Sequence, residues 1–72
     1  MSGVRKRSVS IRGHRTSFSL EQAFFDELAA IANGRDIPLA ALVAEVDAGR
    51  DRRTNLSSAL RLFVLEALRR RN

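Results

Sequence analysis

Cysteine is absent from the 72-residue chain, and histidine occurs once, at His14. The first absence excludes disulfide bonds and thiolate zinc sites, and the second excludes a histidine-rich metal site. A domain of this length buries only about 60% of the surface that its unfolded chain exposes, so small domains depend on disulfides, metals or a partner subunit. With disulfides and metals excluded, we expect the chain to be stabilised by oligomerisation.

Long apolar runs are also absent. The basic N-terminal segment Arg5-Lys6-Arg7 is not followed by the apolar stretch of a secretory signal, and no apolar run is long enough to span a bilayer. These absences predict a cytoplasmic protein that has no membrane partner.

The sequence contains no recognisable grouping of catalytic residues. His14 is flanked by glycine and arginine, the serines lie beside no obvious base, and the carboxylates are spread over separate segments. A glycine-rich phosphate loop is absent as well. We therefore expect no enzymatic activity and no cofactor.

Positive charge is concentrated near the N-terminus. The net charge is +5, and residues 1–16 contain five basic residues and no acidic one. This distribution favours a polyanion as the partner, the alternative being a basic tail that only improves solubility. We expect residues 1–7 to form a disordered basic arm and residues 8–72 to form a single domain.

Two short segments alternate between polar and apolar residues, as half-buried strands do. The apolar residues are odd-numbered in residues 8–12 and even-numbered in residues 15–20. One continuous strand cannot place both sets on one face, so Gly13 marks a bulge, a bend or a turn. An intrachain hairpin in a monomeric domain, with strands 8–12 and 15–20, remains an alternative.

Three helices are predicted after the strands. The first covers residues 21–33 and stops at Asn33-Gly34, where glycine is free to take the left-handed cap. The second covers residues 38–48, and the third is capped by Thr54 or Asn55 and extends to about Arg70. Apolar residues surround most of the third helix, which predicts burial on a second side by another subunit.

A single strand ahead of amphipathic helices is not a complete sheet, and the economical solution is pairing with its copy in a second chain. The predicted fold is mainly α-helical with a short β-ribbon: a homodimer with an intermolecular two-stranded antiparallel ribbon and three helices per chain. Phe18 and Leu20 would then pack on the helices, leaving Arg15, Ser17 and Ser19 exposed on a ribbon that fits the major groove of DNA.

This order of elements resembles the ribbon-helix-helix family, which reads DNA with a β-ribbon. Arg15-Thr-Ser-Phe-Ser-Leu20 is similar to its ribbon strand, and Ile37-Pro-Leu-Ala-Ala-Leu-Val43 to its second helix. Thr54-Asn-Leu-Ser-Ser-Ala-Leu-Arg-Leu-Phe-Val-Leu65 is similar to the C-terminal signature of a bacterial subgroup. The resemblance implies a homodimeric transcription regulator, such as a repressor, that binds double-stranded DNA.

The resemblance also implies roles for individual residues. The outward strand residues Arg15, Ser17 and Ser19 would contact bases, and the start of the second helix would bind a phosphate through backbone N–H groups. The sequence departs from the family pattern there, because Asp36 would repel a phosphate and Pro38 has no N–H. The predicted phosphate contacts are Lys6, Arg7, Arg12, His14, Arg35, Leu39 and Ala40.

A different class of function remains open. The chain could be a protein-interaction module, antitoxin-like or an adaptor, whose third helix binds a protein partner. Its apolar surface would look the same in the sequence.

Overall fold

The computed structural model describes residues 3–71. Two strands are followed by three helices: β1 (Val4–Ile11), β2 (His14–Glu21), α1 (Gln22–Gly34), α2 (Leu39–Gly49) and α3 (Leu56–Arg70). The strands pair antiparallel as one two-stranded sheet. The predicted fold class, a short β-ribbon followed by three helices, is confirmed.

A two-residue turn, Arg12-Gly13, joins the strands. Both residues have positive φ angles, 52° and 81°, as a type I′ hairpin turn requires. The turn reverses the chain, so odd-numbered residues of β1 and even-numbered residues of β2 lie on the same face of the ribbon. A single chain thus completes the two-stranded ribbon that the sequence analysis assigns to two chains, and the pairing is that of the hairpin alternative.

The ribbon extends closer to the N-terminus than the sequence pattern indicates. Its register runs to the pair Val4–Glu21, so residues 4–7 belong to β1 and not to a disordered arm. These residues lack apolar alternation, and their strand conformation depends on pairing with β2. Residues 1 and 2 of the expected arm lie outside the described residues.

The core lies between the inner face of the ribbon and the three helices. Every element except β1 contributes to a set of nine buried apolar residues: Phe18, Leu20, Leu28, Ala32, Leu42, Val43, Leu56, Leu60 and Val64. The apolar side chains of β1, Val9 and Ile11, pack against this cluster while half-buried. The core thereby fixes which face of the ribbon is turned outward.

The helix ends differ from the sequence expectations in detail. Asp36, and not Gly34, takes the left-handed conformation after α1, with a φ of 57°. The backbone N–H groups of Asp36 and Ile37 donate to the carbonyls of Asn33 and Ala32, which completes a Schellman motif. The helix continues through Gly34 because this motif ends it two residues later.

Two helix starts are also defined. The side chain of Asn55 accepts a hydrogen bond from the N–H of Ser58 at 2.9 Å, so Asn55 is the cap of α3. Pro38 precedes α2 as its N-cap in extended conformation, one residue outside the helix.

Candidate nucleic-acid interface

The outer face of the ribbon is polar and basic from the turn to the pair Lys6–Ser19. Cross-strand partners share a face, and the register pairs Lys6 with Ser19, Ser8 with Ser17 and Ser10 with Arg15. We call these six residues the outer face. Because inner-face residues on both strands pack on the core, the outer face is directed away from the helices.

The three predicted base contacts, Arg15, Ser17 and Ser19, therefore lie on one surface. Sequence reasoning missed Ser8 and Ser10, which lie opposite Ser17 and Arg15 on the same surface. Their alternation with Val9 and Ile11 was the available signal. It could not assign a face, because the pairing of the first segment was undetermined.

Basic side chains are concentrated at the tip of the hairpin. Arg12, His14 and Arg15 are exposed there, as is Lys6 further along β1. Within residues 3–71 none of these four side chains makes a hydrogen bond or an ion pair. They are free to contact phosphates or bases.

Arg7 is placed differently from the sequence prediction of a phosphate contact. It shares the inner face with Phe18, and its guanidinium lies over the ring of Phe25 at 3.8 Å from the centroid. Its Nη2 donates to Oε1 of Gln22 at 2.8 Å, and Gln22 in turn donates to Asp26 at 2.7 Å. Arg7 therefore holds β1 on α1, because a cation over an aromatic face is stabilising when partly desolvated.

The backbone of Ser19 is bound by α3. Its N–H donates to Oγ of Ser57 at 2.9 Å, and its carbonyl accepts from Nη2 of Arg61 at 3.4 Å. Nε of Arg61 also donates to Oε1 of Glu21 at 3.0 Å. A hydrogen bond from its own backbone, followed by the bond from Arg61, holds the pKa of Glu21 below the ordinary value of 4.5.

The start of α2 presents free backbone donors. The carbonyl of Pro38 accepts from the N–H groups of Ala41 and Leu42, whereas those of Leu39 and Ala40 have no acceptor in the described part of the chain. Free donors at a helix N-terminus form an anion site of the predicted kind.

The side chain of Arg35 is not free to reinforce this site. It forms a bidentate ion pair with Glu45, with N–O distances of 2.9 and 3.0 Å. The same pairing holds the pKa of the Glu45 carboxyl below its ordinary value. Arg35 is thus paired within its own chain, although the sequence analysis names it as a phosphate contact.

An apolar groove of about 790 Å³ lies between the C-terminal halves of α1, α2 and α3. Ile31, Val46 and Phe63 contribute to its wall, and Leu62 at its border is 58% exposed. Leu65 on the same helix is 41% exposed. This is the second apolar side of α3 that the sequence indicated, and it is open in the single chain.

None of the helices in residues 3–71 combines the length and apolar character that crossing a membrane requires. A family model described as a ribbon-helix-helix domain matches residues 4–68, which is most of the chain. No curated protein matches significantly. No solved structure does so either.

Proposed function

Because this chain belongs to the ribbon-helix-helix family, a regulatory DNA-binding fold, we propose that it is a transcription regulator that inserts its ribbon into the major groove. The outer face carries this proposal. Its six side chains are all basic or hydroxylic, and the three serines and one arginine between Ser8 and Ser17 have no acidic residue beside them on this face. This composition suits a surface that meets polyanionic DNA.

The dimensions of the ribbon fit the groove. Paired strands lie about 4.8 Å apart, and the major groove is about 12 Å wide. Arg15 has the donor geometry for a bidentate contact with guanine, and Ser17 and Ser19 can donate to or accept from any base. Lys6, Arg12 and His14 would contact phosphates beside the inserted ribbon, and the free N–H groups of Leu39 and Ala40 would bind another phosphate.

We further propose that the protein acts as a homodimer and as a repressor. The open groove that Leu62 lines, together with the exposed Leu65 on the same helix, supports the dimer because apolar surface of this kind is stabilised by a second subunit. A two-fold dimer presents two copies of the outer face, so the preferred site should be an inverted repeat.

Selection of binding sites from random duplex DNA tests this function. The selected duplex is then titrated at several salt concentrations. Each neutralised phosphate contributes about −0.9 to the slope of log affinity against log salt, so engagement of both ribbons should give a slope of roughly −4 or steeper. Absence of binding at low salt, or tight binding that salt does not change, would reject the proposal.

A second candidate function rests on the groove alone: a protein-interaction module whose α3 binds a different protein. The change Leu62→Asp distinguishes the two functions. If the groove is the homodimer interface, the variant should become monomeric and lose affinity for the selected inverted repeat. If the groove serves a different protein, the variant should keep both its oligomeric state and its DNA affinity.

A further inference from the structure

We propose that Ser57 and Arg61 of α3 are positioning residues that hold strand β2 in the orientation needed to read bases. The inference rests on the proposed DNA-binding function and assigns α3 a part in it. It concerns contacts between residues 38 to 42 positions apart in sequence, which join the C-terminal helix to the base-reading strand.

The contacts close one edge of the ribbon at Ser19. In an antiparallel pair, the N–H and C=O of one residue point to the same edge of the strand. Both groups of Ser19 bind α3, so they point away from β1, and α3 occupies the edge where another strand could have paired. Arg61 also reaches Glu21, the last residue of β2, and thereby fixes the strand where it enters α1.

The other edge of the ribbon is held at the same level. Arg7 on β1 is fixed to α1 through Phe25 and Gln22. Nearer the turn, residues 8–17 make no side-chain hydrogen bond to a helix within the described chain. The ribbon is therefore hydrogen-bonded to the helices at the end that contains Ser19, while nearer the turn it is held by the apolar packing of Val9 and Ile11.

A small rotation of the strand at Ser19 displaces the residues nearer the turn by a larger distance. Arg15 lies four residues from Ser19, about 13 Å along an extended strand. A tilt of about 10° at Ser19 would therefore displace Arg15 by about 2 Å, which is enough to break a bidentate hydrogen bond to a base edge. A phosphate contact by a flexible lysine or arginine tolerates such a shift better. The contacts of Ser57 and Arg61 should consequently matter more for discrimination between sequences than for general affinity.

The stability contribution of the same contacts should be small. The side chains of Arg61 and Glu21 are 31% and 38% exposed, and ion pairs at such positions contribute little to folding. The apolar contacts of Leu20, Leu60 and Val64 hold the elements together without them. Substitution of Ser57 or Arg61 should therefore leave a folded protein whose ribbon is less well oriented.

Ser57→Ala and Arg61→Lys test the inference in the full chain. The lysine keeps the charge but cannot reach both Ser19 and Glu21 with a planar fork. The matched controls are Ser58→Ala and Arg69→Lys, on the same helix, and Ser57→Thr should restore the contact. The measurements are the affinities for the selected duplex and for a scrambled duplex of the same length.

We expect each test variant to lose about threefold to tenfold in affinity for the selected duplex, the range expected from one lost hydrogen bond. Affinity for the scrambled duplex should change less than about twofold, and both controls should match wild type. Equal losses on the two duplexes, or no loss, would overturn the inference although the protein binds DNA. A wild-type protein that binds no duplex would instead reject the function on which the inference rests.

Amide hydrogen exchange gives a readout that is independent of DNA. The Ser19 amide should be protected in wild type and in Ser58→Ala, and it should exchange faster in Ser57→Ala. Unchanged protection in Ser57→Ala would show that α3 does not hold the strand, which overturns the inference whatever the DNA result.

Discussion

Arg12 occupies a backbone conformation that arginine rarely adopts, with a φ of 52° at the first position of the hairpin turn. Asparagine followed by glycine is the preferred pair in such a turn, and a left-handed conformation costs other residues about 1 kcal/mol. A basic side chain is nevertheless placed there, at the exposed tip of the ribbon. Strain at an exposed position supports a functional contact, and here a DNA phosphate is the chemically suitable partner.

Arg12→Asn should therefore change stability and binding in opposite directions. The free energy of unfolding in urea should rise by a few tenths to about 1 kcal/mol, because asparagine tolerates the left-handed conformation. Affinity for selected and scrambled DNA should fall by similar factors, because phosphates carry no sequence information. Unchanged DNA affinity would exclude Arg12 as a phosphate contact.

Arg15 should be the main base-reading residue. Arg15→Ala should cost about 1–3 kcal/mol in binding to the selected site and relax the preference at one base pair in each half-site. Ser17→Ala should cost less, since a neutral hydrogen bond contributes about 1 kcal/mol. Competition between selected and scrambled DNA measures both effects.

Phe18→Ala is the structural control for this series. Phe18 is 3% exposed, and loss of a buried phenylalanine ring costs about 3–5 kcal/mol, so this variant should unfold rather than change its preference. If Arg15→Ala lowers the affinities for selected and for scrambled DNA by the same factor, Arg15 contacts only a phosphate.

At the scale of elements, the junction of α1 and α2 combines two requirements. Asp36 ends α1 in a left-handed conformation, and its charge lies close in sequence to the free N–H groups that begin α2. The carboxylate suits the local turn and opposes a phosphate at the same place. The two effects can be separated because asparagine tolerates the left-handed conformation but carries no charge.

Asp36→Asn should strengthen DNA binding by up to about fivefold, the effect of about 1 kcal/mol at a helix terminus. The gain should be similar on selected and scrambled duplexes, and it should shrink at high salt. Weaker or unchanged binding would reject a phosphate site at Leu39 and Ala40.

Ion pairs that connect elements predict a response to acid. A hydrogen bond from its own backbone and another from Arg61 hold the pKa of Glu21 below its ordinary value of 4.5. The hydrogen bonds from Arg35 lower the pKa of Glu45 in the same way. A carboxyl with a depressed native pKa stabilises the fold above its unfolded pKa and loses that contribution as the pH falls. The free energy of unfolding should be level between about pH 7 and 5 and should decrease below about pH 4.5.

Urea titrations at each pH measure this response. The double variant Glu21→Gln and Glu45→Gln should show a shallower decrease than wild type. A wild-type stability that stays constant down to pH 3 would contradict the assignment of these ion pairs.

At the scale of the whole molecule, the open groove and the exposed Leu62 and Leu65 predict association. The melting temperature should therefore fall on dilution, as it does for proteins whose folding is linked to dimer formation. Light scattering at high concentration should give twice the chain mass of 8.0 kDa. A folded monomer of that mass, with a melting temperature independent of concentration, would exclude the homodimer.

Local patterns in the sequence determined the order of elements and most of the core. Alternation identified the strand that carries Phe18 and Leu20, and Asn55 was one of two predicted caps of α3. The apolar residues of α1 recur with helical spacing and include the buried Leu28 and Ala32. These features depend on interactions within a few residues, so periodicity and capping chemistry specify them. The position of Arg15, Ser17 and Ser19 on one face follows from the same alternation, although Ser19 is half-buried beside α3.

Tertiary structure decided which segments meet. The partner of β2, the place of Arg7 over Phe25 and the contact of Arg61 with Ser19 depend on register and packing between distant segments. In the sequence, Arg7 cannot be distinguished from the other basic residues of the N-terminal segment. Only the pairing of β1 with β2 places its side chain on the inner face of the ribbon. Period-two alternation specifies the two faces of a strand but not the element that covers its edge, because side chains alternate between faces while backbone groups point to the edges.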